Sequence, residues 1–338
     1  MQSVRGNMSS DIDAVRLGQS GLQISRLVLG CMSFGDPQRG PHPWTLDEDA
    51  ARPLLTAALE AGITTLDTAN VYSAGSSEEI VGRFIADVGS REQFVIATKV
   101  HGMMRPGGNG GGLSRRAIME QIDASLRRLG TDWVDLYQIH RFDSATPVEE
   151  TMEALHDVVK AGKARYIGAS SMWTWQFAQM QHTAELHGWT RFVSMQDQYN
   201  LVQREEEREM YPYCVATGVG VLPWSPLARG RLTRDWDDAT TTRAASDTFG
   251  STLYRQAEDS DRAIAAAVAK IAEGRGLPRA QIALAWVRQQ PAVTAPIVGV
   301  TKTHHLDEAI ASLSITLTDA ELAVLTDPYV PRLPEGFE

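Results

Sequence analysis

The chain has 338 residues, of which 43% are hydrophobic, and carries a formal net charge of −10 from 32 Lys and Arg against 42 Asp and Glu. That length and apolar content suit a single large α/β domain with a substantial core. The acidic balance argues against nucleic acid or an anionic membrane surface as a partner, while leaving room for a local basic patch that holds a phosphate.

In chain order, residues 1–13 are polar and lack the apolar centre of a signal peptide, so they read as a disordered leader. Ala14–Leu17 and Leu22–Ile24, joined around Gln19-Ser20-Gly21, read as a β-hairpin. Short apolar runs follow at Leu27–Leu29, Ile63–Leu66, Phe94–Ala97, Val134–Ile139, Ala164–Gly168, Val193–Met195, Val219–Pro223 and Pro296–Val300. Helical patterns lie between them. Ile118, Ile122, Leu126 and Leu129 form one apolar stripe, and Met152, Leu155, Val158 and Val159 another. Ser114 has the chemistry of a helix N-cap, and Gly130 and Gly162 that of helix stops.

Strands that alternate with helices build a parallel sheet, because parallel neighbours need a crossover connection. Eight such strands without a linker predict a closed (β/α)8 barrel over residues 14–330, with the hairpin plugging its floor and residues 331–338 as a tail. Three loops after strands are long: 36–45, 101–113 with its Gly107-Gly-Asn-Gly-Gly-Gly112 run, and 227–257. In a barrel they project from the carboxyl end, where active sites lie, as lids or as plain solvated loops. The glycine run has no Lys-Ser/Thr after it, so it is a flexible rim rather than a phosphate loop. The two cysteines, Cys31 and Cys214, have no metal-ligand spacing. They fit reduced thiols of a cytoplasmic protein, although an even pair leaves a bridge open. No uncharged stretch is long enough to cross a bilayer.

Three strand-like runs end on chemistry. Asp67 closes the second, Lys99 the third and His140 the fourth, and Tyr72 follows in the loop after Asp67. Strand alternation puts Val95, Ala97 and Lys99 on one face, and Leu136, Gln138 and His140 on one face. The four polar ends can then meet at the barrel mouth. Hydride addition to a carbonyl builds negative charge on oxygen, which a protonated phenol can quench. The Lys99 ammonium is expected to lower the phenol pKa, Asp67 to hold Lys99, and His140 to hydrogen-bond the carbonyl oxygen. Singly, each has a plainer reading: His140 as a core imidazole, Asp67 as a cap, Tyr72 as packing.

The ordered set Asp67-Thr-Ala-Asn-Val-Tyr72, Thr98-Lys99-Val100, Gln138-Ile-His140, Gly168-Ala-Ser-Ser171, Gln196 with Tyr199-Asn200, Trp224-Ser-Pro-Leu-Ala-Arg-Gly230 and Pro296-Ile-Val-Gly299 resembles the aldo-keto reductases from Leu17 to about Tyr329. Within that family the chain is most similar to a bacterial YajO-like, aryl-alcohol dehydrogenase-like subgroup. The resemblance implies a TIM barrel, NADP(H) as cofactor, a small carbonyl substrate, and a catalytic tetrad of Asp67, Tyr72, Lys99 and His140. It also implies that Ser170, Ser171 and Gln196 hold the nicotinamide carboxamide, with Trp224 either stacked on the ring or serving as a core indole. Ser225, Leu227, Arg229 and Gly230 would follow the pyrophosphate through a guanidinium and backbone N–H groups. Gly299, Thr301, Lys302, His305 and Glu308 would hold the adenosine end, with Lys302 as the cation for a 2′-phosphate. Loop 227–257 is expected to order when the cofactor binds.

Candidate substrate walls are Phe34, Trp44, His101, Met103, Arg141, Phe142, Trp173 and Tyr329. Arg141 either attracts an anionic substrate group or pairs with a surface acid. Two other readings use the same residues: a cofactor-sensing regulatory subunit, and a sugar-phosphate enzyme in which Lys99 forms a Schiff base. The oligomeric state is open.

Overall fold

The computed structural model describes residues 14–236, 253–254 and 256–334. The predicted leader, residues 237–252 and residue 255 of the third long loop, and residues 335–338 lie outside the described residues. The first two strands, β1 (Ala14–Arg16) and β2 (Gln23–Ser25), pair antiparallel with Val15 opposite Ile24. Eight parallel strands follow: β3 (Val28–Gly30), β4 (Thr65–Asp67), β5 (Val95–Val100), β6 (Val134–Ile139), β7 (Ala164–Ser170), β8 (Ser194–Gln196), β9 (Gly220–Val221) and β10 (Ile297–Gly299). They neighbour one another in chain order, and β10 returns to lie beside β3. The remaining seam is closed by Thr294 N–H donating to Val221 O and Ile297 N–H to Pro223 O, each at 2.9 Å. All eight apolar runs read from the sequence become these strands.

Helices cross between the strands for the local reasons that the sequence carries. Asp47 accepts from Ala50 N at the start of α1 (Glu48–Glu60). Helix α2 spans Ser76–Val88. Ser114 accepts from Ala117 N at the start of α3 (Arg115–Leu129), and Gly130, at φ 63°, ends it. The stripe of Ile118, Ile122, Leu126 and Leu129 is buried against the sheet. In α4 (Val148–Lys160), Met152, Leu155 and Val158 do the same. Helices α5 (Thr174–His187) and α6 (Met210–Thr217) follow, then α7 (Glu258–Arg275), α8 (Arg279–Arg288), α9 (Thr303–Ala311) and α10 (Asp319–Thr326).

Apolar residues divide into two cores. The larger lies between the sheet and the helices, where Leu29, Ile96, Ile139, Ile167 and Met195 meet helix side chains. The smaller fills the barrel floor, where Leu17 and Ile24 of the hairpin region pack with Val28, Ala97, Leu136, Leu222, Ala295 and Ile297. Period-two alternation along each strand makes this division. The hairpin plugs the floor as expected, pinned by Gln19 N–H donating to Gly218 O at 2.8 Å.

Two expectations change. The glycine run is a folded-back loop, with Met104 N–H bonded to Gly110 O and Gly112 N–H to His101 O, each at 2.8 Å. A Cβ on Gly110 would collide with the Arg105 carbonyl, so close packing, rather than looseness, calls for glycine there. The C-terminal segment is also anchored: Arg332 is buried and pairs with buried Asp261 at 2.7 Å. Arg332 thus ties the start of the predicted tail to the body, while Leu333 beside it stays exposed. Cys31 and Cys214 are both free and buried.

Because Leu17 is fully buried in the floor cluster, Leu17→Ala is expected to destabilise the protein by about 2–5 kcal/mol. Urea unfolding checks this, and an unchanged midpoint would show that the floor is sealed without the plug.

Candidate active site

Parallel strands deliver their carboxyl ends to one rim, so the last residues of β4, β5 and β6 converge there. The Lys99 side chain is fully buried and its ammonium is caged. It pairs with Asp67 Oδ1 and donates to Thr68 O at 2.9 Å and to Tyr72 OH at 3.3 Å. Asp67 Oδ2 accepts from Gln138 Nε2 at 3.0 Å and Gln196 Nε2 at 2.9 Å. The carboxylate is therefore held by a cation and two amides from β5, β6 and β8. Tyr72 opens a short turn in which Ser73 and Ala74 adopt φ 45° and 50°. Its ring meets that of His140 edge-on, with centroids 5.7 Å apart and planes at 79°. All four predicted residues are brought together.

Burial, opposed by Lys99, leaves the Tyr72 phenol above its ordinary pKa of 10.0. The ammonium alone was expected to lower it, but loss of water around the phenol outweighs the attraction. Tyr72 is thus a protonated donor at neutral pH. Burial favours the neutral amine of Lys99, yet Asp67 and Tyr72 win, and the lysine lies above 10.5. His140 is pushed well below 6.5 by burial and by the positive fields of Lys99, Arg141 and His101. It is a neutral imidazole across the physiological range.

Beside this cage, β7, β8 and the turn after β9 bound the candidate cofactor groove. Ser170 Oγ donates to Gln196 O at 2.7 Å, and Ser171 Oγ accepts from Trp224 Nε1 at 3.0 Å. Ser171, Ser225, Ala228 and Arg229 all have positive φ, at 47°, 54°, 48° and 55°. Strain of this kind persists where the surroundings over-determine the backbone, commonly at ligand sites. The donor set suits a dinucleotide: amide and hydroxyl groups beside an indole, then Ser225 and the Arg229 guanidinium along an irregular turn. The N–H groups of Ala228 and Gly230 are engaged with Ser225 O and Leu227 O, so Gly230 has no backbone donor left for a phosphate. Past Gly299, Thr301 hydroxyl lies 3.4 Å from His305 Nδ1, and burial lowers His305 to a pKa of about 4. Lys302 stands exposed at the N-cap of α9, and Glu308 is half-buried on that helix.

The rim side chains divide. His101, Arg141 and Phe142 are half-buried, while Met103 and Trp173 are exposed. Phe142 meets exposed Trp175 edge-on at 6.2 Å, a wall residue not anticipated from the sequence. Arg141 donates to the His140 carbonyl at 2.6 Å, and its field reaches Tyr72 and Asp197 rather than a surface acid. Trp44 is buried against His42. Phe34 is fully buried in the sheet–helix core and forms no wall. Tyr329 also leaves the set: its hydroxyl donates to Glu205 at 2.7 Å and its ring lies between the guanidinium groups of Arg204 and Arg332.

Some members had no assigned role in the sequence. Gln138 was foreseeable, since it shares a strand face with His140. Asn200 donates to Ser225 O at 2.9 Å and to Tyr254 OH at 3.2 Å, tying the third long loop to the groove. Asp197, next to Gln196, accepts from Ser171 N–H at 3.0 Å. No local pattern announces these long-range bonds.

The Aldo/keto reductase family profile, that of a family of oxidoreductases, matches residues 26–328. The chain belongs to the aldo/keto reductase family. It is 45% identical to versiconal hemiacetal acetate reductase of Aspergillus parasiticus over 95% of this chain and 98% of that protein. It is 44% identical to aldo-keto reductase AMT2 of Alternaria alternata, over 95% and 92%. A Schizosaccharomyces pombe protein provisionally named as an aryl-alcohol dehydrogenase is 43% identical, over 95% and 96%. These are fungal proteins, and the likeness is not specific to the bacterial subgroup expected from the sequence. Among the described residues, no helix is long and apolar enough to cross a membrane, and no cluster of His, Cys, Asp and Glu could hold a metal.

Removing one partner of a buried ion pair strands the other. Lys99→Met should therefore cost about 3–5 kcal/mol of stability, because Asp67 keeps two amides but loses its cation. Thermal and urea unfolding read this, and a loss under about 1 kcal/mol would show that the amides suffice.

Proposed function

We propose that the protein reduces aldehydes or ketones to alcohols with NADP(H), using Tyr72 as the proton donor. The observation that carries this reading is the position of the Tyr72 hydroxyl, 3.3 Å from a lysine ammonium that Asp67 locks in place. A reduced nicotinamide held in the candidate groove would supply the hydride that the carbonyl carbon takes up. The C=O electron pair passes to oxygen, and the Tyr72 O–H bond breaks to give that oxygen its proton. The resulting phenolate is left beside the Lys99 ammonium, which stabilises it in a water-poor setting. Neutral His140, edge-on to Tyr72, orients the carbonyl oxygen between them. The pairing with Asp67 keeps Lys99 charged.

Ser170, Ser171, Gln196 and Trp224 are assigned to the nicotinamide end. Ser225 and Arg229 are assigned to the phosphates, with Leu227 and Gly230 shaping the turn. Gly299, Thr301, Lys302, His305 and Glu308 are assigned to the adenosine end. Lys302 favours NADPH over NADH by offering a cation to a 2′-phosphate at a helix N-terminus. Exposed Trp173 and Trp175, with Phe142 and Met103, favour an aryl or similarly apolar carbonyl. The name of the Schizosaccharomyces relative, an aryl-alcohol dehydrogenase, points the same way. A Schiff base on Lys99 is disfavoured, since a lysine held above its ordinary pKa keeps its lone pair protonated. Buried free thiols fit a cytoplasmic setting.

Tyr72→Phe is expected to lower kcat for an aryl aldehyde by about 100- to 10,000-fold while leaving NADPH affinity within about twofold. The wild-type kcat at saturating cofactor should stay flat from about pH 8 to about pH 9, because Tyr72 ionises above 10.0 and His140 well below 6.5. Stopped-flow absorbance of the cofactor measures both, and a Phe variant with near-normal turnover removes Tyr72 as the acid. Lys302→Glu should weaken NADPH by about tenfold or more and leave NADH nearly unchanged. Equal effects on the two would place the 2′-phosphate elsewhere.

A further inference from the structure

Asp197 is a fully buried carboxyl just behind the groove, and the reaction described above does not use it. Its Oδ1 accepts the Ser171 N–H at 3.0 Å, a donor shared with the Gln196 carbonyl at 3.2 Å, and its Oδ2 has no hydrogen-bond partner among the described residues. Its backbone carbonyl accepts Trp224 N–H at 2.8 Å. Ser171 and Trp224 are in turn joined through Ser171 Oγ. One acidic residue thus grips both sides of the Ser171–Trp224 contact. Ser171 needs that grip, because at φ 47° a serine backbone relaxes to negative φ unless it is held.

We propose that Asp197 is a positioning residue for the nicotinamide end of the cofactor. It fixes the strained Ser171 peptide and, through it, the Trp224 indole. The inference rests on the groove being the dinucleotide site. A buried carboxyl is a costly choice for this duty, since a neutral amide would also accept an N–H bond. The carboxyl adds a charge that can change. Around it are the Arg141 guanidinium, which favours the anion, and buried Glu206, which opposes it. Tyr211 and Cys214 of α6 lie within the same field as neutral groups. Burial, partly offset by the Ser171 N–H and Arg141, raises Asp197 to about 7. Below that pH the group is a neutral acid, and above it the group is an anion behind the nicotinamide end. An anion there favours the oxidised, cationic ring over the reduced, neutral one.

The test compares wild type, Asp197→Asn and Asp197→Leu by quenching of tryptophan fluorescence with NADPH and NADP+, at about pH 6 and about pH 8. Leucine removes the shorter of the two Ser171 N–H bonds and leaves only the Gln196 carbonyl, so Asp197→Leu should weaken both forms by about tenfold. Asparagine keeps the acceptor oxygen, so Asp197→Asn should bind NADPH within about twofold of wild type. In wild type, affinity for NADP+ relative to NADPH should rise by about threefold between the two pH values, and in Asp197→Asn it should stay flat. Wild-type binding by Asp197→Leu overturns the proposal. If that variant gives no cooperative melt, Asp197→Asn decides: a flat ratio supports the proposal and a wild-type rise overturns it. Wild type that binds neither dinucleotide removes the functional reading and this inference together. Wild type that binds well beside an unaffected leucine variant removes only the role of Asp197.

Discussion

A charged lysine fully buried in the barrel mouth is tenable only because Asp67 neutralises it and the Thr68 carbonyl and the Tyr72 hydroxyl take its remaining N–H groups. Taking an ammonium out of water costs several kcal/mol, and a single carboxylate offsets this only when the geometry is fixed. Gln138 and Gln196 provide that fixity by tying down the second carboxylate oxygen. Side chains from four strands therefore meet at one ion pair at the rim. Stability and chemistry share the same atoms, because the cation that Asp67 retains is the one that can stabilise a phenolate on Tyr72.

The barrel interior is layered by polarity. Leu17, Ile24, Ala97 and Leu136 fill the floor, and Asp67, Lys99, Gln138 and Gln196 fill the layer above. Along β5 and β6 the change takes one inward step, from Ala97 to Lys99 and from Leu136 to Gln138. The apolar layer keeps water from the underside of the cage, and the polar layer hands its valences to groups at the mouth. Helix packing plays no direct part in this, since those side chains meet the opposite face of each strand.

Much of this was legible in the amino-acid order. Strand runs ended on Asp67, Lys99 and His140, and alternation alone aimed them inward. The eight strands, the hairpin plug and the caps at Ser114 and Gly130 follow from patterns a few residues long. What escaped were bonds between distant segments. Tyr329 reads as an aromatic wall until its hydroxyl is found on Glu205. Phe34 follows a strand end yet turns into the outer core, and Asp197 looks like an ordinary polar residue after Gln196. The net direction of the Tyr72 shift was also beyond sequence, because it depends on how much water the fold removes from the phenol.

The sealed floor has a bearing on proton supply. Leu17 and Ile24 belong to the apolar cluster that closes the floor below the Lys99 cage, leaving the mouth as the open side among the described residues. On the proposed reaction, an occupant of that mouth would also block the return of a proton to the Tyr72 phenolate. Tyr72 would then give up one proton behind a closed door and regain it only after the occupant departs.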